Sequence, residues 1–547
     1  MTCQTKLMVK KKQSQLKLRH YLILAGIIIL GMGLRFWQLD LKPLAIDEIA
    51  TAIFSLGKSY EDVPVNVATS LSSLQQIFTL NKSTCPEIAW KVSTESTHPP
   101  LFFCIMHQWL IWLQPFSQSL VWKLRALPAL WGVAAIASIY CLNRVAFSPQ
   151  AGLMGATVMA VSPFGVYLSQ EARHYSLPVF LITLALLALI QMQKDLEKSK
   201  FSGWWLTWIL INTINFYVHY FSFLAFIAQV LILIFFTYNS PLKYLSKIII
   251  LTSIPLVLFL PWLSIVVEHF SSPKTSWLPS PENIAPLYQI IIAWLLMAIS
   301  LPIENQPLTL QITAGLLMIF FGVWLAWQTW QGMSKNLQIS QTKTATLTLS
   351  LFIIFVGLQF FVIIYILQKD ITIAPRYNFV YYPAFCALLG AALVNRSKWD
   401  LKVPFIVFLV GIISCIFVVF NLAFQKPYHP QSVVNNLTQY PGSLMVVIGY
   451  DDTINIALGL SYARLLDQQI PPNQATFFAF VDSYPDYKLV WKKVSQMSVS
   501  PQNLWVVAPG LRQKDYPAHI DLAQNICQLD PNQYYRIGIP YQLYRCP

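Results

Sequence analysis

The chain has 547 residues, 56% of them hydrophobic and only 11% charged. Soluble domains carry about 25% charged residues, so this composition excludes a water-soluble globular protein, and the apolar excess must face lipid. The formal charge of +14 sits in short runs between apolar segments, with no basic module interleaved with aromatics. That excludes nucleic acid as a partner and fits cytoplasmic loops under the positive-inside rule.

The chain opens with a basic segment, 1–19, in which Lys10, Lys11, Lys12, Lys17 and Arg19 precede an apolar run over 21–37. No small-residue cleavage site follows, so the run reads as a retained anchor. About 20 apolar residues cross a bilayer. Candidate spans lie near 20–37, 98–114, 124–146, 151–168, 176–192, 203–221, 222–238, 243–267, 284–303, 308–329, 346–367, 376–395 and 402–424. The segment 38–97 is too long for a connector and reads as short helices along the membrane surface. Residues 425–547 read as a small α/β domain. Strand-like runs lie at Leu444–Ile448, Phe477–Val481 and Leu504–Val507, a helix at 454–466, and a closing hairpin over Tyr535–Tyr544. The expectation is a mainly α, polytopic membrane protein: a basic tail 1–19, a membrane domain 20–424 with the outer loop 38–97, and a C-terminal domain 425–547.

Charge sets the orientation. The basic N-terminus lies in the cytoplasm and the 38–97 loop outside. Lys335 with Lys343, and Arg396 with Lys398 and Lys402, mark inside loops. The last helix then places the tail outside, which needs an odd number of crossings. Thirteen crossings leave the Lys194–Lys200 and Lys243–Lys247 loops outside, against the charge rule. If 98–114 only dips into the membrane and one segment between 284 and 329 does not cross, both loops return inside and the count is eleven. This orientation implies a multi-pass protein of the plasma (inner) membrane.

The eight cysteines show no CxxC and no metal-ligand spacing. Cys104, Cys141, Cys386 and Cys415 lie in apolar helices and read as small core residues. Cys527 and Cys546 share the tail and would pair if it lies outside the cytoplasm.

Polar residues next to the apolar runs carry the candidate chemistry. Asp47-Glu48 follows the first helix and reads either as a solvated turn or as a general base or metal ligand at the membrane face. Thr97-His98-Pro99-Pro100-Leu101 stiffens a helix entry and sets His98 at headgroup depth, either incidentally or against a phosphate. Lys123-Leu124-Arg125-Ala126-Leu127-Pro128 opens another helix, with Arg125 as interfacial anchor or lipid-phosphate ligand. In Gln170-Glu171-Ala172-Arg173-His174-Tyr175, four polar side chains at membrane depth are costly unless paired or set in a cavity. Glu171 and Arg173 either pair with each other or serve a site. His219-Tyr220 ends an aromatic-rich helix, as a satisfied interfacial pair or a ligand pair. Pro375-Arg376-Tyr377 opens a helix on the outside, where arginine is an interfacial anchor or a phosphate clamp. Asp451-Asp452, after the first strand of the tail, reads as a turn.

The order of these motifs resembles the membrane-embedded glycosyltransferases that use polyprenyl-phosphate sugars. These are glycosyltransferase family 39, with the protein O-mannosyltransferases and lipid A aminoarabinose transferases and, more distantly, oligosaccharyltransferase catalytic subunits. The likeness covers about 20–400, adding Arg125-Ala126-Leu127-Pro128, Ala151-Gly152-Leu153 to Ser162-Pro163, and Pro261-Trp262-Leu263. The resemblance implies a GT-C fold of 11–13 helices with the site at the outer face and an inverting transfer. Asp47 would be the general base, and Glu48 would orient the acceptor or help hold a cation. His98, Arg173 and Arg376 would neutralise the departing phosphate, with Tyr175 and Tyr377 as donors. The implied partners are a polyprenyl-phosphate-linked sugar, membrane lipid, and an acceptor protein, lipid or glycan. The resemblance implies no definite cofactor and leaves metal dependence open; a divalent cation, if bound, has Asp47 or Glu48 as ligand. No second Asp-x-Asp or Glu-x-Asp motif is visible, a departure from the oligosaccharyltransferase subunits. Two other classes fit a polytopic chain: a lipid or polysaccharide flippase, and a non-catalytic assembly partner in cell-surface glycan synthesis. No internal repeat of the transporter kind is seen.

Overall fold

The computed structural model describes residues 3–198, 200–238, 242–272, 277–394, 402–471, 474–522 and 525–547. Arg396 and Lys398 lie outside the described residues, as do the side chains of Lys10, Lys11, Lys12 and Lys243. The chain forms two compact bodies. One comprises 1–39, 96–102 and 125–424, the other 40–95, 103–124 and 425–547.

All thirteen apolar segments are helical. Among the described residues, seven helices are long and apolar enough to cross a membrane: Gln15–Phe36, Leu120–Ala146, Ser176–Glu197, Leu245–Phe270, Leu308–Gln338, Ser340–Ile366 and Lys402–Val419. An eighth candidate is a bent pair, Pro149–Ala160 with Pro163–Ser169. The remaining five are Leu101–Trp112, Gly203–Phe216, Ser222–Thr237, Ala285–Ala298 and Tyr382–Val394. At 1.5 Å per residue they rise roughly 18–24 Å, short of a hydrocarbon core about 30 Å thick. The segment near 376–395 starts later than its hydropathy suggests, because Pro375–Val380 is a 3₁₀ turn and the α-helix begins at Tyr382.

The bent pair breaks by 61°. Ser162 caps the second half by accepting the Gly165 N–H, and Pro163 occupies its first turn, a start signal that ends the preceding helix. The break orphans the last carbonyls of Pro149–Ala160. Arg35, buried at the end of the first helix, donates to Met159 O at 2.9 Å and Ala160 O at 3.0 Å. A fixed cation thus meets the negative end of a helix. Close approach holds Pro149–Ala160 against Tyr382–Val394. A Cβ on Gly390 would lie 2.5 Å from the Gly155 Cα, so only the bare backbone fits.

The second body is built on one seven-stranded sheet in the order β1-β3-β2-β4-β7-β6-β5. The strands are β1 Thr69–Ser70, β2 Leu444–Tyr450, β3 Thr476–Asp482, β4 Asn503–Val507, β5 His519–Leu522, β6 Asn525–Ile537 and β7 Ile539–Arg545. β2 pairs in parallel with β3 and β4, and the other pairs are antiparallel. The parallel centre is covered on both faces, which explains its continuous apolar runs. Met445, Val447, Ala479, Val481, Val490, Val494, Leu504 and Val506 share its core. Asp452 is more than a turn residue. It caps helix Thr453–Gln469 by accepting the Ile454 and Asn455 N–H groups.

The segment after the first helix belongs to this body. It supplies edge strand β1 and helix Ile46–Ser55, and Ser461 Oγ donates to the Leu44 carbonyl at 2.6 Å. Cys527 pairs with Cys546, and Cys85 pairs with Cys104. The reading of Cys104 as a core thiol is therefore corrected. Its helix is short and lies beside the start of helix Cys85–Glu95, where an apolar run conceals a cross-link position. Cys141, Cys386 and Cys415 are free thiols, and Cys141 is exposed.

Candidate functional site

Four short connections of the first body bring His98, Arg173, His174, Tyr175, His219 and Arg376 together. His98 precedes two prolines, and the Leu101 N–H that follows donates to the Tyr217 carbonyl at 3.1 Å. This ties its loop to the turn between Gly203–Phe216 and Ser222–Thr237, which carries His219. Residues 171–175 join Pro163–Ser169 to Ser176–Glu197, and the Arg173 N–H closes onto the Glu171 carbonyl at 2.7 Å. Arg376 lies in the 3₁₀ turn Pro375–Val380.

Arg173 Nη2 donates to His98 Nε2 at 2.6 Å. A guanidinium only donates, so His98 is neutral at Nε2 and carries its proton on Nδ1. The His174 ring lies 4.9 Å from His98 and 4.6 Å from His219, and Tyr175 lies 4.7 Å from His174. His219 Nδ1 accepts the Phe221 N–H at 3.0 Å, which leaves its proton on Nε2. Arg173 also lies over the Tyr175 ring at 5.7 Å.

Burial pushes both His174 and His219 well below the usual imidazole range. The guanidinium groups of Arg173 and Arg376 push the same way. Two buried imidazoles and two guanidinium groups gather hydrogen-bond donors in one place, a donor set whose chemistry suits an anion. Among the described residues no group of three His, Cys, Asp or Glu side chains has metal-binding geometry.

The other sequence candidates lie elsewhere. Tyr220 turns away from the histidines. Its hydroxyl accepts from Trp262 Nε1 at 3.0 Å and meets His269 Nδ1 at 2.9 Å, and burial pushes its pKa up to about 12. Arg125 is buried and donates to the Leu39 carbonyl at 3.0 Å, fastening the end of the first helix. Glu171, two residues before Arg173, is buried. Gln170 caps the first helix through the carbonyls of Leu34, Arg35 and Trp37. Arg376 and Tyr377 are half-buried, with the Arg376 guanidinium 5.9 Å from the Trp277 ring centre and 5.7 Å from that of Tyr377.

Asp47 and Glu48 belong to the second body, on the first turn of helix Ile46–Ser55, where a carboxylate is favoured. Asp47 is half-buried. Glu48 is buried and accepts the Ala45 N–H at 2.9 Å. Tyr428 Oη accepts the Ile46 N–H at 3.2 Å. The Asp47 turn is therefore fastened by the C-terminal segment.

Sequence reasoning passed over Arg35, Trp277 and Phe379. Nothing in the neighbourhood of Arg35 signals a helix break 124 residues later. Trp277 follows a helix end without a motif. Phe379, 4.7 Å from His219, follows Arg376-Tyr377 by two residues, and that spacing could have nominated it.

Residues 97–265, 169 of the 547, match the family model of dolichyl-phosphate-mannose-protein mannosyltransferases. That stretch contains His98, Arg173, His174 and His219. No curated protein matches the sequence. Among solved structures the chain resembles ArnT from Cupriavidus metallidurans bound to undecaprenyl phosphate, with a TM-score of 0.50 and 12% identity, covering 90% of this chain and 93% of that one. The apo form of the same protein gives 0.49 and 12%, with coverage of 91% and 94%. The apo oligosaccharyltransferase of Archaeoglobus fulgidus gives 0.46 and 12%, with 81% and 64%. The chain has the GT-C fold, a polytopic helical body with a small sheet region at its C-terminus, and resembles the membrane glycosyltransferases of that fold.

Proposed function

We propose that this chain is a membrane glycosyltransferase that moves a sugar from a polyprenyl-phosphate donor to an acceptor hydroxyl at the outer face of the plasma membrane. The observation that carries the reading is the cradle of Arg173, His98, His174, His219 and Arg376. Its chemistry suits one phosphate. Arg173 and Arg376 supply fixed charge, and the neutral His98 offers a proton on Nδ1.

In this mechanism Asp47 takes the proton of the acceptor hydroxyl as that oxygen attacks the anomeric carbon. The bond from that carbon to the phosphate oxygen breaks on the opposite face, inverting the centre. The electron pair leaves on the polyprenyl phosphate, where the arginines offset the developing charge. Glu48, which fastens the turn, sets the orientation of its neighbour. The acceptor is a hydroxyl of a protein, lipid or glycan.

The cysteine pattern supports the assignment of sides. Among the described residues, both disulfides lie in the second body and the free thiols Cys141, Cys386 and Cys415 in the first, as expected if the loop 38–97 and the C-terminal segment face an oxidising compartment and the N-terminus faces the cytoplasm.

The test is mass spectrometry of surface glycans and glycolipids from cells lacking the gene, complemented with wild type or with Asp47→Asn. One mass is expected to vanish without the gene, to return with wild type and to stay absent with the variant. Unchanged glycans in the deletion strain overturn the reading.

A further inference from the structure

The cradle has an aromatic extension that the anion chemistry does not use. Phe221 lies 5.4 Å from the His219 ring and 4.7 Å from Tyr377, and Tyr377 lies 6.5 Å from Trp277. The Arg376 guanidinium borders both of the last two rings. Trp277 is 41% exposed. The residues that follow it are tied down, since the Asp370 N–H donates to the Pro279 carbonyl at 2.9 Å and Tyr365 Oη donates to the Asn283 carbonyl at 3.1 Å. An exposed indole beside the arginine that the donor reading assigns to the phosphate is a surface suited to a group covalently next to that phosphate.

A polyprenyl phosphate glycoside has two such groups, the isoprenoid and the sugar. An isoprenoid is apolar throughout and gains nothing from a cation and polar ring edges. A pyranose or furanose ring presents an apolar C–H face and a rim of hydroxyls. Trp and Tyr offer the matching pair, a flat apolar face with a polar edge, and the arginine brings that face next to the phosphate.

We propose that Trp277 and Tyr377 form the shelf on which the donor's sugar ring stacks while Arg376 engages its phosphate. This assignment rests on the polyprenyl-phosphate reading above and names the part of the same site that recognises the sugar.

The full-length protein in lipid nanodiscs tests it. Binding of undecaprenyl phosphate is compared with binding of undecaprenyl phosphate carrying mannose, glucose or aminoarabinose, for wild type, Trp277→Ala and Trp277→Phe, with melting curves to verify folding. Wild type should hold at least one glycosylated lipid more tightly than the bare lipid. Trp277→Ala should lose about tenfold on that lipid and stay within about twofold on undecaprenyl phosphate, and Trp277→Phe should recover most of the loss. Equal losses on both lipids make Trp277 an isoprenoid contact and overturn the shelf. No loss on either, or no wild-type preference for any glycosylated lipid, also overturns it. Failure of the wild type to bind undecaprenyl phosphate at all falls instead on the donor reading.

Discussion

Arg173 and His98, 75 residues apart, meet through one hydrogen bond of 2.6 Å from guanidinium to imidazole. The bond fixes the tautomer of His98 and the plane of the Arg173 fork together, and under the proposed donor reading each residue prepares the other for the phosphate. Arg173→Ala and His98→Ala should each weaken undecaprenyl phosphate binding by about 10- to 100-fold. The double variant should fall short of the product by a coupling of about 0.5–3 kcal/mol. His98→Gln, which keeps an acceptor, should cost less than His98→Ala. Isothermal titration on the four proteins measures the cycle, and strict additivity would show that the two act separately.

The buried imidazoles predict an acid-sensitive fold. His174 and His219 sit well below their unfolded value of about 6.5 because of burial and the adjacent cations. Above about pH 6.5 both states are neutral and the pair has no effect. As pH falls below that value the unfolded chain takes up protons that the folded one refuses, so stability drops by about 1.4 kcal/mol per pH unit for each histidine. Melting temperature between pH 8 and 5 checks this, and His174→Asn should reduce the acid slope by roughly half.

The turn that carries Asp47 should tune turnover and leave donor affinity alone. Its fasteners are Tyr428 Oη on the Ile46 N–H and Ser461 Oγ on the Leu44 carbonyl. Tyr428→Phe and Ser461→Ala each remove one hydrogen bond, worth about 0.5–1.5 kcal/mol. Each should lower the transfer rate by roughly 2- to 10-fold with undecaprenyl phosphate binding unchanged. A matching loss of binding would assign these contacts to general stability.

The two disulfides should be separable from the cradle. Each closes a chain separation of 19 residues, for which the loop-closure model gives about 3 kcal/mol. Cys527→Ser with Cys546→Ser should lower the unfolding temperature of the second body and leave undecaprenyl phosphate binding intact. Thiol labelling of the exported protein should reach these positions only after reduction.

The sequence made the helices legible because lipid imposes a simple rule, one apolar residue after another for about 20 positions. It made the tail's strands legible because β2, β3 and β4 are buried on both faces and read as continuous apolar runs. His98, Arg173, His174, His219 and Arg376 could be nominated one by one, since polar side chains beside apolar runs are costly without a purpose. What stayed hidden depends on tertiary contact. Gln170 and Arg35 cap helix ends far away in sequence. Cys104 pairs across a turn that hydropathy cannot see, and Tyr220 points opposite to its neighbour His219. No local pattern announced that the Asp47 helix and the C-terminal sheet share one body.

Single-turnover sugar transfer in proteoliposomes, wild type against Asp47→Asn, tests the central claim most directly. The donor is the polyprenyl-phosphate sugar pool of the host, labelled in the sugar. Removing a general base costs about 10²–10⁴ in rate. The account therefore predicts that Asp47→Asn binds undecaprenyl phosphate like wild type and transfers at least a hundredfold more slowly. Transfer by Asp47→Asn at the wild-type rate would contradict it.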